Sequence, residues 1–369
     1  MAKPPIPKSA VLETNATLKD RYKVLIAIPC CNEYSTLPEV IQSLEKNNSF
    51  IEETLIIINV NNRLSADSRE NQQTIQWLQD HQTSLQLAWL NNSQAPHSYP
   101  EKFGVGLARH QAVNAGLTYI ADTAPVISLD ADSPVNETYL EEIFKVCQSP
   151  SFLAGHVNFQ HQHQGTQEEV RAIRLYDQHL HLHRQRLQDA GSPHCWYAIG
   201  STIVCTAKAY KKAGGYNVRK MAGEDFYLLQ QLSKTGCHIT MIDKAFVYPS
   251  NRPSDRVPFG TGKAVSDILD TGTWHTYHPQ CYEELKALLE SVKKHLDDDA
   301  SEILKDVSPN VKGYLTGRKF TETWTKLQQN SRDTQMLQQR FHEWLDAFQT
   351  LKLIHHLTQS SYPKEELSL

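Results

Sequence analysis

Apolar residues fall into short continuous runs over the first two thirds of the chain and into helical stripes over the last third. Residues 22–29 form one run rich in Val and Ile, the pattern of a strand buried on both faces. Helical spacing follows at Leu37, Val40, Ile41 and Leu44, and residues 54–60 make a second run that closes in Asn59, Asn61 and Asn62. Strand, helix, strand in that order predicts a right-handed crossover. A third strand is expected near 85–90, a helix over 106–120, and then a strand running out into Asp130-Ala131-Asp132. This alternation predicts an α/β layered domain, with ligands bound at the carboxyl ends of its strands.

Beyond the carboxylates the pattern predicts an edge strand at 152–159, a helix over 170–187 and a strand over 198–205. A turn follows at Gly214-Gly215-Tyr216, then a helix opened by Gly223-Glu224-Asp225, a strand at 239–241 and a loop over 248–263. From Tyr282 onward the spacing is helical, with one stripe through Leu285, Leu288, Leu289, Val292 and Leu296. Another runs through Leu337, Phe341, Trp344, Leu345, Phe348 and Leu351. The expected organisation is a polar, Pro-rich leader over 1–21, an α/β domain over 22–264 and a helical extension over 265–369.

The chain has 369 residues, 40% of them apolar and 21% charged, which excludes a disordered or fibrous class. A net charge of −4 speaks against a general nucleic-acid binder. The N-terminus has no apolar core of a signal peptide, and no segment approaches the roughly 20 apolar residues that span a bilayer. Seven cysteines, an odd number with no Cys-x-x-Cys spacing, suit reduced thiols. The expectation is a cytoplasmic protein without a transmembrane segment.

The candidate chemistry begins at Asp130-Ala131-Asp132. Residues two apart on a strand point the same way, and at a strand end both carboxylates can reach one point. Such hard oxygens suit Mg²⁺, which is held by one or two carboxylates together with substrate phosphates. The plainer alternative is that Asp132-Ser133-Pro134 only caps and starts a helix over 135–147.

Four pieces stand in one order: a strand ending in Pro29 with Asn32-Glu33, a strand ending in Asn61-Asn62, Asp130-Ala131-Asp132, and Gly223-Glu224-Asp225-Phe226. In this order the chain resembles, over roughly residues 22–263, the family 2 glycosyltransferases of the nucleotide-diphospho-sugar-binding GT-A fold. The resemblance implies a Rossmann-like mixed sheet flanked by helices, and donor contacts at Pro29, Asn32, Glu33, Asn61, Asp130 and Ala131. It implies that Asp132, with Asp130, holds Mn²⁺ or Mg²⁺ on the donor diphosphate, and that Asp225, beside Glu224, is the general base for a hydroxyl acceptor in an inverting transfer. A metal neutralises the leaving diphosphate, and a positioned carboxylate takes the hydroxyl proton. For Asp225 the alternative is a helix N-terminal carboxylate favoured by the macrodipole. The chain departs from the family pattern in carrying Asn61-Asn62 for Asp-Asp, Tyr248-Pro249-Ser250 where a metal-binding His is usual, and no membrane segments.

Arg256 and Lys263, in the Gly-bearing loop 251–263, are candidate phosphate contacts, since guanidinium and ammonium groups both suit phosphate oxygens. Arg109, after Gly104 and Gly106, is another, because the matching segment of the family often borders the donor. Trp196 and Tyr197, ahead of Gly200 and Ser201, are candidate acceptor contacts, since aromatic faces stack on sugars. His161, His163, His179, His181 and His183 do not read as a zinc site, because on a helix only His179 and His183 share a face. Gly104-Val105-Gly106 lacks the third glycine of a dinucleotide fingerprint, and Gly260-Thr261-Gly262-Lys263 is not a P-loop. The expected activity is metal-dependent transfer from a nucleotide sugar to a hydroxyl. The alternatives are a catalytically silent nucleotide-sugar-binding protein and, behind it, a sugar nucleotidyltransferase.

Overall fold

The computed structural model describes residues 5–47, 49–218, 222–254 and 260–369. Eight strands form one mixed sheet: β1 (Leu12–Thr14), β2 (Val24–Cys30), β3 (Thr54–Asn61), β4 (Gln86–Asn92), β5 (Pro125–Ser128), β6 (Ala154–Phe159), β7 (Ile203–Thr206) and β8 (Ile239–Val247). Their order across the sheet is β1-β4-β3-β2-β5-β7-β6-β8. The central strands β4, β3, β2 and β5 are mutually parallel, whereas β7 runs antiparallel to both β5 and β6. Helices follow in the order α1 (Leu37–Glu45), α2 (Arg69–Asp80), α3 (Val105–Gly116), α4 (Tyr139–Cys147), α5 (Gln167–Asp189), α6 (Ala207–Lys212), α7 (Glu224–Lys234) and α8 (Thr261–Thr271). This is the mixed α/β class expected, with helices flanking the sheet.

The continuous apolar runs of β2 and β3 are buried along their whole length, as strands covered on both faces must be. Polar residues enter this core around Asn59. Asn59 donates to the Tyr99 hydroxyl at 3.0 Å and to the Ala108 carbonyl at 2.9 Å, and its Oδ1 accepts from Asn92 at 2.9 Å. Gln111 joins them through the Tyr99 hydroxyl at 2.6 Å and donates to the Pro7 carbonyl at 3.1 Å. A buried amide is stable only when its groups are paired, so this network orders the segment ahead of β1.

Four expectations change around the sheet. The segment read as a leader contributes β1, antiparallel to β4. The strand expected at the edge, β6, lies inside, because β8 pairs with it in parallel over a longer span than 239–241. The strand expected over 198–205 opens instead with a 3₁₀ turn at Gly200–Thr202. Helix α4 begins at Tyr139 behind Thr138, so Asp132-Ser133-Pro134 does not cap it.

By internal contacts the chain divides into two compact units, residues 1–166 with 198–263 and residues 167–197 with 264–369. Helix α5, expected inside 22–264, therefore groups with the C-terminal helices. The second unit adds α9 (Gln280–Lys294), α10 (Ala300–Lys305), α11 (Pro309–Gly317), α12 (Phe320–Gln329), α13 (Thr334–Trp344) and α14 (Ala347–Ser360), around a core with Leu285, Leu288, Phe320, Trp324, Phe341 and Leu353. The second expected stripe is broken at Asp346, whose carboxylate accepts from Gln349 N–H at 2.9 Å and starts a new helix. Among the described residues no helix is long and apolar enough to cross a membrane.

Asn59→Ala should cost about 1–3 kcal/mol, because it removes the buried hydrogen bonds to Tyr99, Ala108 and Asn92 at once. A lowered urea midpoint at unchanged slope is the expected result.

Candidate active site

The loops after β2, β3 and β5 leave the same end of the parallel strands, where open sheets bind ligands. Glu33 stands in the first of them. Its Oε2 accepts from Thr36 Oγ1 at 3.2 Å, and the same hydroxyl donates to the Ala131 carbonyl at 2.9 Å. One threonine thus ties the loop that carries Glu33 to the loop that carries Asp130 and Asp132. Asn32 takes a left-handed φ of 54°, which Asn tolerates, and its N–H donates to Asn71 Oδ1 at 2.8 Å. Pro29 is buried within β2, opposite Asn59 of β3.

Arg109 of α3 lies beneath these loops at 3% exposure. Its Nη1 donates to Ser128 Oγ at 2.6 Å, its Nη2 to Asp130 Oδ1 at 2.5 Å and its Nε to Glu224 Oε1 at 3.0 Å. All three nitrogens are spent on protein oxygens, so the phosphate contact expected at Arg109 is replaced by an internal clamp. Gly200 is what lets this side chain pass, since a Cβ there would stand 2.0 Å from Arg109 Nη2 and 3.3 Å from Asp130 Oδ2. The clamp brings Glu224 of α7 to the end of β5, and Asp225 follows it in the first helical turn.

Asp225 Oδ1 accepts from the Phe226 N–H at 2.7 Å. Burial, reinforced by the Glu224 carboxylate, raises the Asp225 carboxyl to about 7. Asp132 is raised as well, by burial first and then by the Asp130 and Glu33 charges. Its counter-charge among the described residues is Arg252, whose Nη2 stands 3.7 Å from Asp132 Oδ2 and donates to Glu33 Oε1 at 2.7 Å. Asp132 is thus an underneutralised carboxylate close to Asp130, and one or two carboxylates are what a Mg²⁺-like ion takes when substrate phosphates supply its other ligands. Buried oxygens without a hydrogen-bond partner, Asn32 Oδ1, Asn61 Oδ1 and Ser201 Oγ, lie on these same chain segments and fit a polar ligand.

Not every expected residue joins this group. Trp196 and Tyr197 belong to the second unit and are buried there, Trp196 packed edge-on with His194 and Tyr197 bonded through its hydroxyl to His181 Nδ1 at 2.7 Å. Lys263 lies in the first turn of α8, and Arg256 falls outside the described residues. His179 and His183 each bond a single hydroxyl, of Thr276 at 2.9 Å and Tyr282 at 2.6 Å, and burial lowers them to about 4 and about 3. Among the described residues no three His, Cys, Asp or Glu side chains are grouped to hold a metal. Arg252, Thr36 and Ser128 were not singled out by the sequence. Arg252 stands in the loop flagged for cations, and the fold brings it to the carboxylates.

Solved structures similar to this chain are nucleotide-sugar glycosyltransferases. One is the mannosyltransferase PcManGT from Pyrobaculum calidifontis in complex with GDP-Man and Mn²⁺, at 13% identity over 89% of this chain and 88% of that one, with a TM-score of 0.43. Another is S. aureus TarS 1-349 in complex with UDP-GlcNAc, at 12% identity over 88% and 91%, with a TM-score of 0.45. Glucosyl-3-phosphoglycerate synthase from Mycobacterium tuberculosis with UDP matches at 14% identity over 68% and 79%, with a TM-score of 0.38. No protein-family model and no curated protein sequence matches the chain. At these identities and scores the likeness is remote, and the reading below stands on this chain's own residues.

Arg109→Met removes the cation shared by Asp130 and Glu224. Breaking a buried pair in this way costs about 3–5 kcal/mol, so chemical denaturation should register a loss of that size. An unchanged midpoint would remove Arg109 as the clamp.

Proposed function

We propose that this protein transfers a sugar from a nucleotide diphosphate sugar to a hydroxyl acceptor, in a crevice of the GT-A kind. The observation that carries the reading is the convergence of Glu33, Asp130, Asp132 and the Glu224-Asp225 pair at the carboxyl end of the parallel strands, organised by Arg109. These are the carboxylates of the ordered motifs in the sequence, here drawn from three separate parts of the chain. Asn61 and Asn32 receive the base through their unpartnered amide oxygens. Asp132 and Asp130 would hold the divalent ion, Mn²⁺ or Mg²⁺, which when bound supplies positive charge to the departing diphosphate.

Asp225 is the general base. Its Oδ1 is held by the Phe226 N–H, which leaves Oδ2 to take the acceptor's hydroxyl proton. As that proton leaves, the acceptor oxygen bonds to the sugar's anomeric carbon from the face opposite the diphosphate, and the breaking bond's electrons depart with the diphosphate. The anomeric configuration is inverted. Glu224, bonded to Arg109, fixes the helix start that aims Asp225.

A thermal-shift panel of uridine, guanosine, cytidine and thymidine diphosphates, with and without Mn²⁺, tests the donor class. Ligand at about 100 times its Kd adds roughly 2.7 kcal/mol, a shift of several degrees. One base should stabilise the protein in the presence of Mn²⁺, and Asp132→Asn should abolish the effect. No shift with any nucleotide, in a protein that melts cooperatively, would sink the reading and favour one of the other functions.

Asp225 makes a separate prediction. Its raised carboxyl keeps a proton in the folded chain that the unfolded chain has released between about pH 4 and pH 7. Its contribution to stability therefore falls as pH rises through that window and stays low above it. Asp225→Asn should melt a few degrees above the wild type at about pH 8 and no higher at about pH 4, while losing transfer and keeping the donor-induced shift. Retained transfer would exclude Asp225 as the base.

A further inference from the structure

Arg252 is carried by a loop anchored on both sides of it. On one side Asn251, 3% exposed, accepts from the Gln164 N–H at 3.3 Å and donates to the Gln164 carbonyl at 2.8 Å. On the other, the Ser254 N–H donates to the Gly262 carbonyl at 3.2 Å, an approach so close that a Cβ on Gly262 would stand 2.5 Å from Ser254 Cβ. Between these anchors the Arg252 side chain, 39% exposed, reaches the crevice. There its Nη2 donates to Glu33 Oε1 at 2.7 Å and stands 3.7 Å from Asp132 Oδ2.

A guanidinium and a divalent ion compete for the same carboxylates. Each cation is drawn to Asp132, and each repels the other at short range. With the metal alone bound, Arg252 keeps Glu33 and faces a second cation across the crevice. A diphosphate changes that balance, because its oxygens accept a guanidinium fork and at the same time ligate the metal. Arg252 then has an anion to turn to, and Asp132 is left to the ion.

We propose that Arg252 makes metal binding conditional on the donor diphosphate: it shields Asp132 and Glu33 in the unliganded protein and shifts its hydrogen bonds to a phosphate oxygen when the nucleotide arrives. The proposal rests on the donor-and-metal reading above. Coupling of this kind is reciprocal, so Mn²⁺ and nucleoside diphosphate each tighten the other's binding. Removing the guanidinium relieves the competition and the phosphate contact together, and so moves the two affinities in opposite directions.

The test is a Mn²⁺ titration of the full chain followed by electron paramagnetic resonance, without nucleotide and with each of the four nucleoside diphosphates. The same titration is run on Arg252→Gln and Arg252→Lys after cooperative melting of each has been checked. Wild type should bind Mn²⁺ weakly by itself and about tenfold or more tightly with the matching diphosphate. Arg252→Gln should bind Mn²⁺ alone about tenfold more tightly than wild type, yet gain little from the nucleotide and bind it less well. Arg252→Lys, which keeps the charge, should stay as weak as wild type towards Mn²⁺ alone and covers the case in which Arg252→Gln does not fold. If Arg252→Gln binds Mn²⁺ alone no better than wild type while nucleotide still binds both, or if Arg252→Lys alone already binds it tightly, the conditional role of Arg252 is overturned and the donor reading stands. If neither metal nor any nucleotide binds the wild type, the donor reading falls and takes the role of Arg252 with it.

Discussion

Arg109, sealed at 3% exposure with one nitrogen each on Ser128, Asp130 and Glu224, is the cation that lets acidic groups from distant parts of the chain meet at one strand end. Like charges brought together in a partly dehydrated crevice repel, and each loses hydration on the way in. A single guanidinium with divergent donors offsets both costs at once, where an ammonium could not bridge three acceptors in fixed geometry. The rest of the site is arranged around it. Gly200 leaves the space that the guanidinium fills, and the start of α7, with Asp225 in its first turn, is held at the end of β5.

On the other side of the crevice the same problem has a looser solution. Glu33 and Asp132 share Arg252, which sits at the solvent edge rather than in the core. The contrast has a physical meaning. A buried clamp is costly to rearrange and so defines a fixed geometry, whereas an exposed guanidinium held by one short contact and one long one can exchange partners. A fixed geometry around Asp130 and Glu224 and an adjustable one around Glu33 and Asp132 follow from where each arginine lies.

Beneath both stand the buried parallel strands. Their continuous Val and Ile runs place three polar loops at one end of the sheet, and the Asn59, Asn92, Tyr99 and Gln111 network joins that sheet to the segment ahead of β1. In the second unit His179 and His183 are paired to hydroxyls and packed among aromatic rings. They contribute interior order there, in keeping with their depressed proton affinity.

The apolar runs of β2 and β3, the polar loops that end them and the carboxylates at Glu33, Asp130, Asp132, Glu224 and Asp225 were legible in the sequence, because strand burial and motif order are local properties. Strand order was not. That β6 lies inside the sheet depends on β8 pairing beside it, a contact between residues some eighty positions apart that no local pattern encodes. The internal role of Arg109 was hidden for the same reason. Composition places arginines near the acidic motifs, but which one is spent inside and which one faces the crevice depends on the depth at which each Cα is held. Trp196 and Tyr197 show the complementary limit, since an aromatic pair has the same local appearance whether it faces ligand or core. What the sequence by itself determined was the chemical inventory and the secondary elements that carry it. Only the tertiary structure decided which charges share a cation and which stay unneutralised, because the energy of a charge depends on its burial and neighbours, and both are set by contacts far apart in the chain.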